Sequence, residues 1–274
     1  MVNEQLQYAD WSESFSEEEP KREKESLEQS EEEIFDVRNF DCEKKYPDAF
    51  YEQYIEDFQP NGKKRRAYKF FKRLFDFTAS LLGLIILSPI MLTIAIAIKC
   101  DSKGPVIFKQ QRVGKGGKPF NCYKFRSMRT DTPHDCATSI LEHPEQYYTR
   151  VGAFLRKTSL DELPQLWCCV RGTMSVIGYR PLVLTEKNCN GMRERLGVFE
   201  MRPGISGYSQ VHGRDDVYYK NKAIMDAEYV KHASFWGDIK LIFETVAIVL
   251  KRKGNADNKQ VKKTGTEKEI GPGI

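Results

Sequence analysis

The feature that most constrains this chain is a run of 22 residues, 77–98, in which no side chain is ionisable. At about 1.5 Å per residue, an α-helix over this run measures about 33 Å, which matches the roughly 30 Å hydrocarbon core of a bilayer. The run therefore predicts a helix that enters a membrane.

Two features indicate that this helix does not simply cross the bilayer. Pro89 has no N–H to donate to the carbonyl of Ile85 and disfavours helical geometry at Ser88, so a break is expected there. Basic residues typical of cytoplasmic segments lie on both sides of the run: Lys69, Lys72 and Arg73 before it, and Lys99 and Lys103 after it. The pattern predicts a re-entrant helix-break-helix, with the Ser88 hydroxyl able to satisfy a freed backbone group. A proline-kinked span is the alternative.

Charge is distributed unevenly along the chain. Residues 1–62 contain 19 acidic and 6 basic residues, whereas residues 63–274 contain 20 acidic and 37 basic ones. A basic body suits anionic lipid headgroups, phosphate-bearing substrates or nucleic acid. The seven cysteines form no C-x-x-C pair and no zinc-like spacing, which indicates reduced thiols in a cytoplasmic protein.

These patterns divide the chain into four parts. Residues 1–62 are expected to form an acidic, largely disordered extension, although the aromatic residues between 35 and 58 leave a short helix or a docking segment open. Residues 63–103 combine a basic segment with the re-entrant helix. Residues 104–253 form a cytoplasmic domain at the membrane surface, and residues 254–274 form a polar tail.

Secondary structure follows from the spacing of apolar residues. The alternating segments 106–113 and 120–125 predict two strands, and the loop 114–118 is a hairpin turn because it lacks the G-x-x-x-x-G-K-[ST] pattern of phosphate loops. Helical periodicity is present in three later segments, residues 182–200, 223–232 and 236–250. The last of these suits either an interfacial helix or a core helix. Residues 202–214 are rich in turn-forming residues.

The expected fold class is therefore α/β. We expect a monotopic membrane protein that combines the re-entrant helix, a small β-hairpin and several helices, some of them amphipathic and interfacial.

Asp161 and Glu162 are the acidic pair of greatest chemical interest. Because Ser159 precedes Glu162 by three residues, the pair also fits a capping box that only stabilises a helix N-terminus. Five arginines in turn-rich segments favour a functional role, since guanidinium groups match phosphate oxygens: Arg126, Arg156, Arg180, Arg202 and Arg214. A carboxylate among them is expected to stay ionised and to serve as a nucleophile or metal ligand.

Six blocks of sequence resemble those of the bacterial sugar transferase family, the monotopic phosphoglycosyl transferases or polyprenyl-phosphate hexose-1-phosphate transferases. They are SPI (88–90), FKQQRVGKGGKPF (108–120), YKFRSM (123–128), LRKTSLDELPQLW (155–167), GTMSVIGYRP (172–181) and RPGISGYSQVHGR (202–214). The resemblance covers residues 69–253 and keeps the family's order of blocks.

The resemblance implies a phosphoglycosyl transferase. Such an enzyme moves a sugar-1-phosphate from a nucleotide diphosphate sugar, usually a UDP-sugar, to polyprenyl (undecaprenyl) phosphate and releases UMP, as the first step of exopolysaccharide or glycoconjugate assembly. It implies that Asp161 attacks the phosphate attached to the sugar and forms a covalent aspartyl-phosphosugar. Glu162 is implied as its partner, with Mg²⁺ assisting and Asp161 as the candidate metal ligand.

The resemblance also implies roles for residues around Asp161 and Glu162, the acidic dyad. Arg156 and Arg180 match phosphate-binding arginines, Asp226 matches a further acidic active-site residue, and Lys124 matches the lysine of the KFRSM block. With residues 104–253 as the catalytic domain, the expected location is the inner leaflet, at the cytoplasmic face of the cell membrane. Nucleic acid is not expected as a partner.

This chain departs from the family's pattern at several positions. Tyr179 stands where proline usually precedes the arginine, and Thr173 replaces a frequent aspartate. Cys168 and Cys169 occupy a site where asparagine is common, and Tyr208 replaces a usual tryptophan. The dyad and its arginine partners are intact.

Two other functions fit parts of the sequence. A membrane-anchored binding or regulatory protein without catalysis would use Asp161 and Glu162 only as a helix cap. A basic nucleic-acid-binding module on a membrane anchor is weakened because no stacking-platform or helix-turn-helix signature is present.

Overall fold

The computed structural model describes residues 41–42, 44–59, 66–132, 143–213 and 217–250 as a mixed helix and sheet protein. Its helices are α1 (Asp48–Asp57), α2 (Arg66–Asp101), α3 (Arg150–Thr158), α4 (Gln165–Arg171), α5 (Lys187–Arg195), α6 (Tyr208–His212), α7 (Tyr219–His232) and α8 (Phe235–Leu250). Its strands are β1 (Ile107–Val113), β2 (Pro119–Phe125), β3 (Ser175–Ile177) and β4 (Gly204–Ser206). The predicted polar tail, residues 254–274, lies outside the described residues.

Helix α2 covers 36 residues with Pro89 inside it, so the residues on both sides of the predicted break at Ser88 and Pro89 belong to one helix. The predicted re-entrant course through a membrane stays a prediction. The Ser88 hydroxyl donates to the carbonyl of Ile85 at 2.8 Å. This is the carbonyl that Pro89, without an N–H, cannot reach. The side chain replaces the missing backbone bond, and the helix can continue through the proline.

The N-terminal half of α2 is joined to the body by buried polar contacts. The Lys72 ammonium lies 2.8 Å from the carboxylate of Asp238 on α8, and two tyrosine hydroxyls also donate to this carboxylate. One helical turn further, Asp76 accepts hydrogen bonds from the Ser175 hydroxyl at 2.7 Å and the Val176 N–H at 3.0 Å. These contacts attach the helix to α8 and β3.

The C-terminal end of α2 contacts the same body. Ile98 is buried in an apolar cluster with Phe125 and Leu155, which come from β2 and α3. The Asp101 carboxylate accepts a hydrogen bond from the backbone N–H of Val151 at 3.0 Å. Both ends of α2 are therefore fastened to one folded unit.

The middle of α2 is its exposed part. Leu82, Ile85 and Ile86 are 57%, 62% and 71% exposed. Only 11% of the most apolar 18-residue window is buried inside the protein, and within the described ranges α2 is the one helix long and apolar enough to cross a membrane. This is the burial pattern of a helix whose middle requires an apolar environment that the rest of the fold does not provide.

The predicted β-hairpin is confirmed as β1 and β2, which pair antiparallel through the turn at Lys115–Gly117. Phe108 lies opposite Lys124, and Arg112 lies opposite Phe120, so the hairpin places Arg112 and Lys124 on one face. Strands β3 and β4 form a second, parallel pair. Part of the stretch predicted only as turns, 202–214, is therefore a strand.

The three later helices are confirmed with changed bounds. α7 and α8 correspond to the predictions over 223–232 and 236–250, whereas the segment 182–200 contains only the shorter α5. Helical structure stops before Gly197 because this residue adopts a left-handed conformation, with φ of 67°. α8 buries Leu241 but leaves Trp236 78% exposed, so it combines a core face with an exposed apolar face.

Helix α1 lies within residues 35–58, for which the sequence left a short helix or a docking segment open. It is a short helix that packs on α7, with Tyr51 completely buried. The Tyr51 hydroxyl donates to Asn221 at 2.6 Å, and the Tyr54 hydroxyl donates to Glu228 at 2.5 Å. The C-terminal part of the acidic extension is therefore docked on the folded body.

We predict that Lys72→Met destabilises the protein strongly, because it leaves the buried Asp238 carboxylate without its cation. Loss of one partner of a buried ion pair costs about 3–5 kcal/mol, which corresponds to a fall of roughly 10 °C in the thermal midpoint at this chain length. The measurement is thermal unfolding of the detergent-solubilised chain. Arg195→Met, which breaks an exposed ion pair with Glu52, is the control and should lower the midpoint by no more than about 2 °C. Equal effects of the two variants would contradict this account.

Candidate active site

Asp161 and Glu162 lie in the 3-10 turn Leu160–Glu162, between α3 and α4. The flanking residues Leu160 and Leu163 pack against the apolar cluster that contains Ile98. The packing of these leucines fixes the 3-10 turn. This turn places the two carboxylates beside the β-hairpin.

Ser159 does not cap this turn, so the capping-box interpretation is wrong. Its φ is 58° and its ψ is 15°, the left-handed conformation, and at this described position its side chain makes no cap hydrogen bond. Ser159 instead ends α3, with its N–H donating to the carbonyl of Arg156 at 3.2 Å. A residue with a side chain in this conformation carries backbone strain, which is common beside functional groups.

Lys124 and Arg180 meet at Glu162. The Lys124 ammonium lies 2.6 Å from Glu162 Oε1 and 4.0 Å from Asp161 Oδ2, and the Arg180 guanidinium lies 3.3 Å from the same Glu162 oxygen. Lys124 comes from β2, and Arg180 follows β3. The structure therefore brings these two predicted site residues to the dyad.

Arg156 completes the predicted group around Asp161. It lies in the last turn of α3, with its guanidinium 4.8 Å from the centroid of the Tyr148 ring. The charge of Arg156 acts to lower the pKa of Asp161, as do the charges of Lys124 and Arg180. Three predicted cations thus surround the dyad.

The two carboxyl groups differ in their pKa values. Burial is the largest influence on Asp161 and raises its pKa above the usual value, with Lys124 opposing the shift. Burial also acts to raise the pKa of Glu162, but Lys124 and Arg180 outweigh it and lower this pKa to about 2. The expectation that neighbouring cations keep a carboxylate ionised is met at Glu162, whereas the pKa of Asp161 moves in the opposite direction.

Arg126 is not brought to the dyad. Its guanidinium donates to the carbonyl of Ser102 at 2.7 Å and to that of Lys103 at 2.9 Å, where it caps the C-terminus of α2. Gly104, with φ of 125°, lies so close that an added Cβ would meet this guanidinium at 2.1 Å. The predicted phosphate-binding role of Arg126 stays a prediction, and in the structure its guanidinium holds the backbone of the segment that follows α2.

Arg202 and Asp226 also have other partners than the dyad. Arg202 Nε donates to the carbonyl of Gly172 at 2.7 Å, at the opposite end of α4 from the dyad. Asp226 is 1% exposed and accepts from the Ser209 hydroxyl at 2.7 Å. The predicted Arg214 lies outside the described residues.

Two arginines that the sequence analysis did not select lie close to the site. Arg112 is half-buried, and its charge contributes to the low pKa of Glu162. Arg193 is completely buried and forms an ion pair with Asp226. The strand register could have found Arg112, because it shares a face with Lys124, but nothing in the helical pattern of α5 distinguishes Arg193 from the neighbouring Arg195.

The dyad can supply part of a metal site. Among the described residues, no group of three or more His, Cys, Asp and Glu side chains is arranged to hold a metal ion. Mg²⁺ in phosphoryl-transfer sites commonly takes one or two carboxylates, with water and substrate phosphates as its other ligands. Asp161 and Glu162 fit that smaller contribution, with Glu162 already partly neutralised by Lys124.

Residues 67–252 match the family model described as bacterial sugar transferase. The chain belongs to the bacterial sugar transferase family. The matched range begins at the start of α2 and ends just beyond α8, so it includes the apolar helix and the whole site, while α1 lies outside it.

Curated members of the bacterial sugar transferase family are similar over the same region. The chain is 39% identical over 210 residues to undecaprenyl-phosphate galactose phosphotransferase of Salmonella typhimurium, covering 71% of this chain and 43% of that one. It is 40% identical over 188 residues to undecaprenyl-phosphate glucose phosphotransferase of Komagataeibacter xylinus, covering 64% and 35%. It is 35% identical over 200 residues to the exopolysaccharide production protein ExoY of Rhizobium meliloti, covering 67% and 87%. The chain thus spans less than half the length of the first two relatives and most of the third.

We predict that Ser159→Val destabilises the turn that holds the dyad, whereas Ser159→Gly does not. A β-branched residue in the left-handed conformation costs roughly 1–2 kcal/mol, and glycine adopts it without a steric penalty. Thermal unfolding of both variants tests this. If valine were tolerated as well as glycine, the left-handed geometry at this position would be refuted.

Proposed function

We propose that this chain transfers a sugar-1-phosphate from a nucleotide diphosphate sugar to polyprenyl phosphate. The observation that carries the proposal is the pair of buried Asp161 and half-buried Glu162, surrounded by cations, in a chain of the bacterial sugar transferase family. The relatives named as undecaprenyl-phosphate phosphotransferases support undecaprenyl phosphate as acceptor, and a relative named for UDP-glucose supports a UDP-sugar as donor.

The proposed reaction has two displacements at one phosphorus. A carboxylate oxygen of Asp161 attacks the sugar-bound phosphorus of the donor, and the bond to the bridging oxygen breaks, releasing the nucleoside monophosphate with the bonding electrons. An oxygen of polyprenyl phosphate then attacks the phosphorus of the aspartyl-phosphosugar and displaces the Asp161 carboxylate. The product is a polyprenyl diphosphate sugar, and the enzyme returns to its starting state.

The charges of the site suit this chemistry. Lys124, Arg112, Arg156 and Arg180 all act electrostatically on the dyad, so the cations outnumber the two carboxylates. Phosphoryl transfer depends mainly on positioning and on neutralisation of phosphate charge. Glu162 stays ionised and holds Lys124 and Arg180 beside Asp161, where both can contact the phosphates of the donor.

Mg²⁺ is proposed as the cofactor, with Asp161 and Glu162 as its protein ligands and substrate phosphate oxygens completing the set. When bound, it neutralises charge on the diphosphate and on the leaving nucleoside monophosphate. The chain's own contribution is the carboxylate nucleophile and the cations that orient the donor.

We propose that the enzyme is monotopic and acts at the cytoplasmic face of the cell membrane, on the inner leaflet. Both ends of α2 are fastened to one body, while its middle exposes Leu82, Ile85 and Ile86. A helix that crossed the bilayer with the body on one side would have one end free of that body. The pattern supports a helix whose middle enters the membrane and whose two ends return to the catalytic unit. In this proposed arrangement the site lies level with the lipid phosphates.

We predict that Asp161→Asn abolishes release of the nucleoside monophosphate, because the amide cannot serve as the nucleophile. Membranes containing the variant are incubated with UDP-glucose or UDP-galactose and undecaprenyl phosphate, and UMP is measured. Asp131→Asn, the same substitution at an exposed carboxylate paired with Arg129, is the control and should keep full activity. Transfer by Asp161→Asn at the wild-type rate would refute Asp161 as the nucleophile. Absence of UMP release by the unchanged chain as well as by the variant would support the binding or regulatory protein instead.

We predict that Lys124→Met moves the acid limb of the rate profile to higher pH. Asp161 must be deprotonated to attack, its pKa is raised by burial, and Lys124 is the strongest charge that opposes this rise. Without Lys124 the pKa rises further, so activity is lost at a higher pH as the solution is acidified. The measurement is the pH dependence of kcat, with Lys157→Met, which removes an exposed lysine of α3, as the control. An unchanged acid limb in Lys124→Met would refute the assigned electrostatic role.

A further inference from the structure

Two arginines, the buried Arg193 and the half-buried Arg112, donate to consecutive backbone carbonyls in the segment that carries Arg180. Arg193 Nη1 donates to the carbonyl of Arg180 at 2.9 Å, and Arg112 Nη1 donates to the carbonyl of Pro181 at 2.6 Å. The two guanidinium groups come from α5 and β1, which are distant in the chain. Their contacts restrain the backbone on both sides of the bond that joins Arg180 to Pro181.

Arg193 is itself held by a buried acidic group. It is completely buried, and its other terminal nitrogen forms an ion pair with the Asp226 carboxylate. The second oxygen of Asp226 accepts from the Ser209 hydroxyl at 2.7 Å. A connected series of contacts therefore runs from α6 and α7 through Arg193 to the backbone of Arg180.

A stability role alone does not account for this arrangement. Burial of two charges carries a large desolvation cost, and well-packed apolar side chains of similar volume often stabilise a fold as well or better. Arg193 Nε has no hydrogen-bond partner among the residues described, so the guanidinium is not placed to satisfy all its donors. What the arrangement does provide is one defined donor at the carbonyl of Arg180.

The residue before Arg180 gives this donor a specific purpose. Tyr179 is completely buried, and it has no ring that fixes φ as proline has. The guanidinium of Arg193 lies 5.5 Å from the centroid of the Tyr179 ring. The same side chain therefore contacts both Tyr179 and the carbonyl of Arg180.

We propose that Arg193, held by Asp226, is a positioning residue that fixes the backbone of Arg180 and thereby directs its guanidinium to Glu162 and the donor phosphate. This inference rests on the proposed function and deepens it, and it gives Asp226 an indirect role in place of direct contact with the substrate. Because Arg193 acts through Arg180, its effect on turnover should vanish when the Arg180 guanidinium is absent.

The test is a double-mutant cycle with Arg180→Met and Arg193→Met in the full chain, in membranes supplied with a UDP-sugar and undecaprenyl phosphate. We expect Arg193→Met to lower kcat by about 10- to 100-fold, the loss typical when a supporting contact of a site is removed. We expect the double variant to be no less active than Arg180→Met alone, within about threefold, because the two residues act as a unit. Arg195→Met, an exposed arginine two residues further along α5, is the matched control and should leave kcat unchanged.

Losses that multiply in the double variant would overturn the inference, since they would mark a general structural role. If Arg193→Met fails to fold, the pair Arg193→Met and Asp226→Leu replaces both buried charges with apolar groups, and it should restore the thermal midpoint but not kcat. Restoration of kcat as well would also overturn the inference. Failure of the proposed function is a different outcome, because the unchanged chain would then release no UMP from the UDP-sugar and there would be no kcat to compare.

Discussion

The site depends on the ion pair between Glu162 and Lys124, with Arg180 on the same carboxylate oxygen. These contacts connect the β-hairpin, the turn that carries the dyad and the segment after β3. They also separate the two acidic groups chemically, since Glu162 is held ionised while burial raises the pKa of Asp161. Glu162 holds the cations in place, and these cations attract a phosphate. Asp161 is then available to react with that phosphate.

Buried charge also joins the apolar helix α2 and the loops to the body. Lys72 pairs with Asp238, Asp76 accepts from β3, and Arg126 caps the end of α2. Guanidinium groups that donate to backbone carbonyls recur at Arg112 and Arg193. Among the described residues, some arginines hold backbone carbonyls and others face the site. The same side-chain type thus supports both the attachment of a long apolar helix and the arrangement of charges at the dyad.

Sequence patterns predicted secondary structure well. They predicted less well which groups the arginine side chains contact. The hairpin, the long apolar helix, the dyad and three of its cations, Lys124, Arg156 and Arg180, followed from alternation, apolar length and motif. The patterns did not separate Arg126 and Arg202 from these cations, because a guanidinium in a turn-rich segment can face either a substrate or a helix end. The Ser88 hydroxyl satisfies the carbonyl that Pro89 leaves without a donor, as predicted. The burial of Arg193 depends on the packing of α5 against α7, which periodicity does not encode.

The central claim is that Asp161 becomes covalently phosphorylated by the sugar donor. The most direct measurement incubates the chain with a UDP-sugar labelled at the sugar-bound phosphate, without polyprenyl phosphate, and then locates the label by peptide mapping after acid quenching. The account predicts label on the peptide that contains Asp161, and its disappearance when polyprenyl phosphate is added. Label on another residue, or complete transfer to the lipid without any labelled protein, would contradict it.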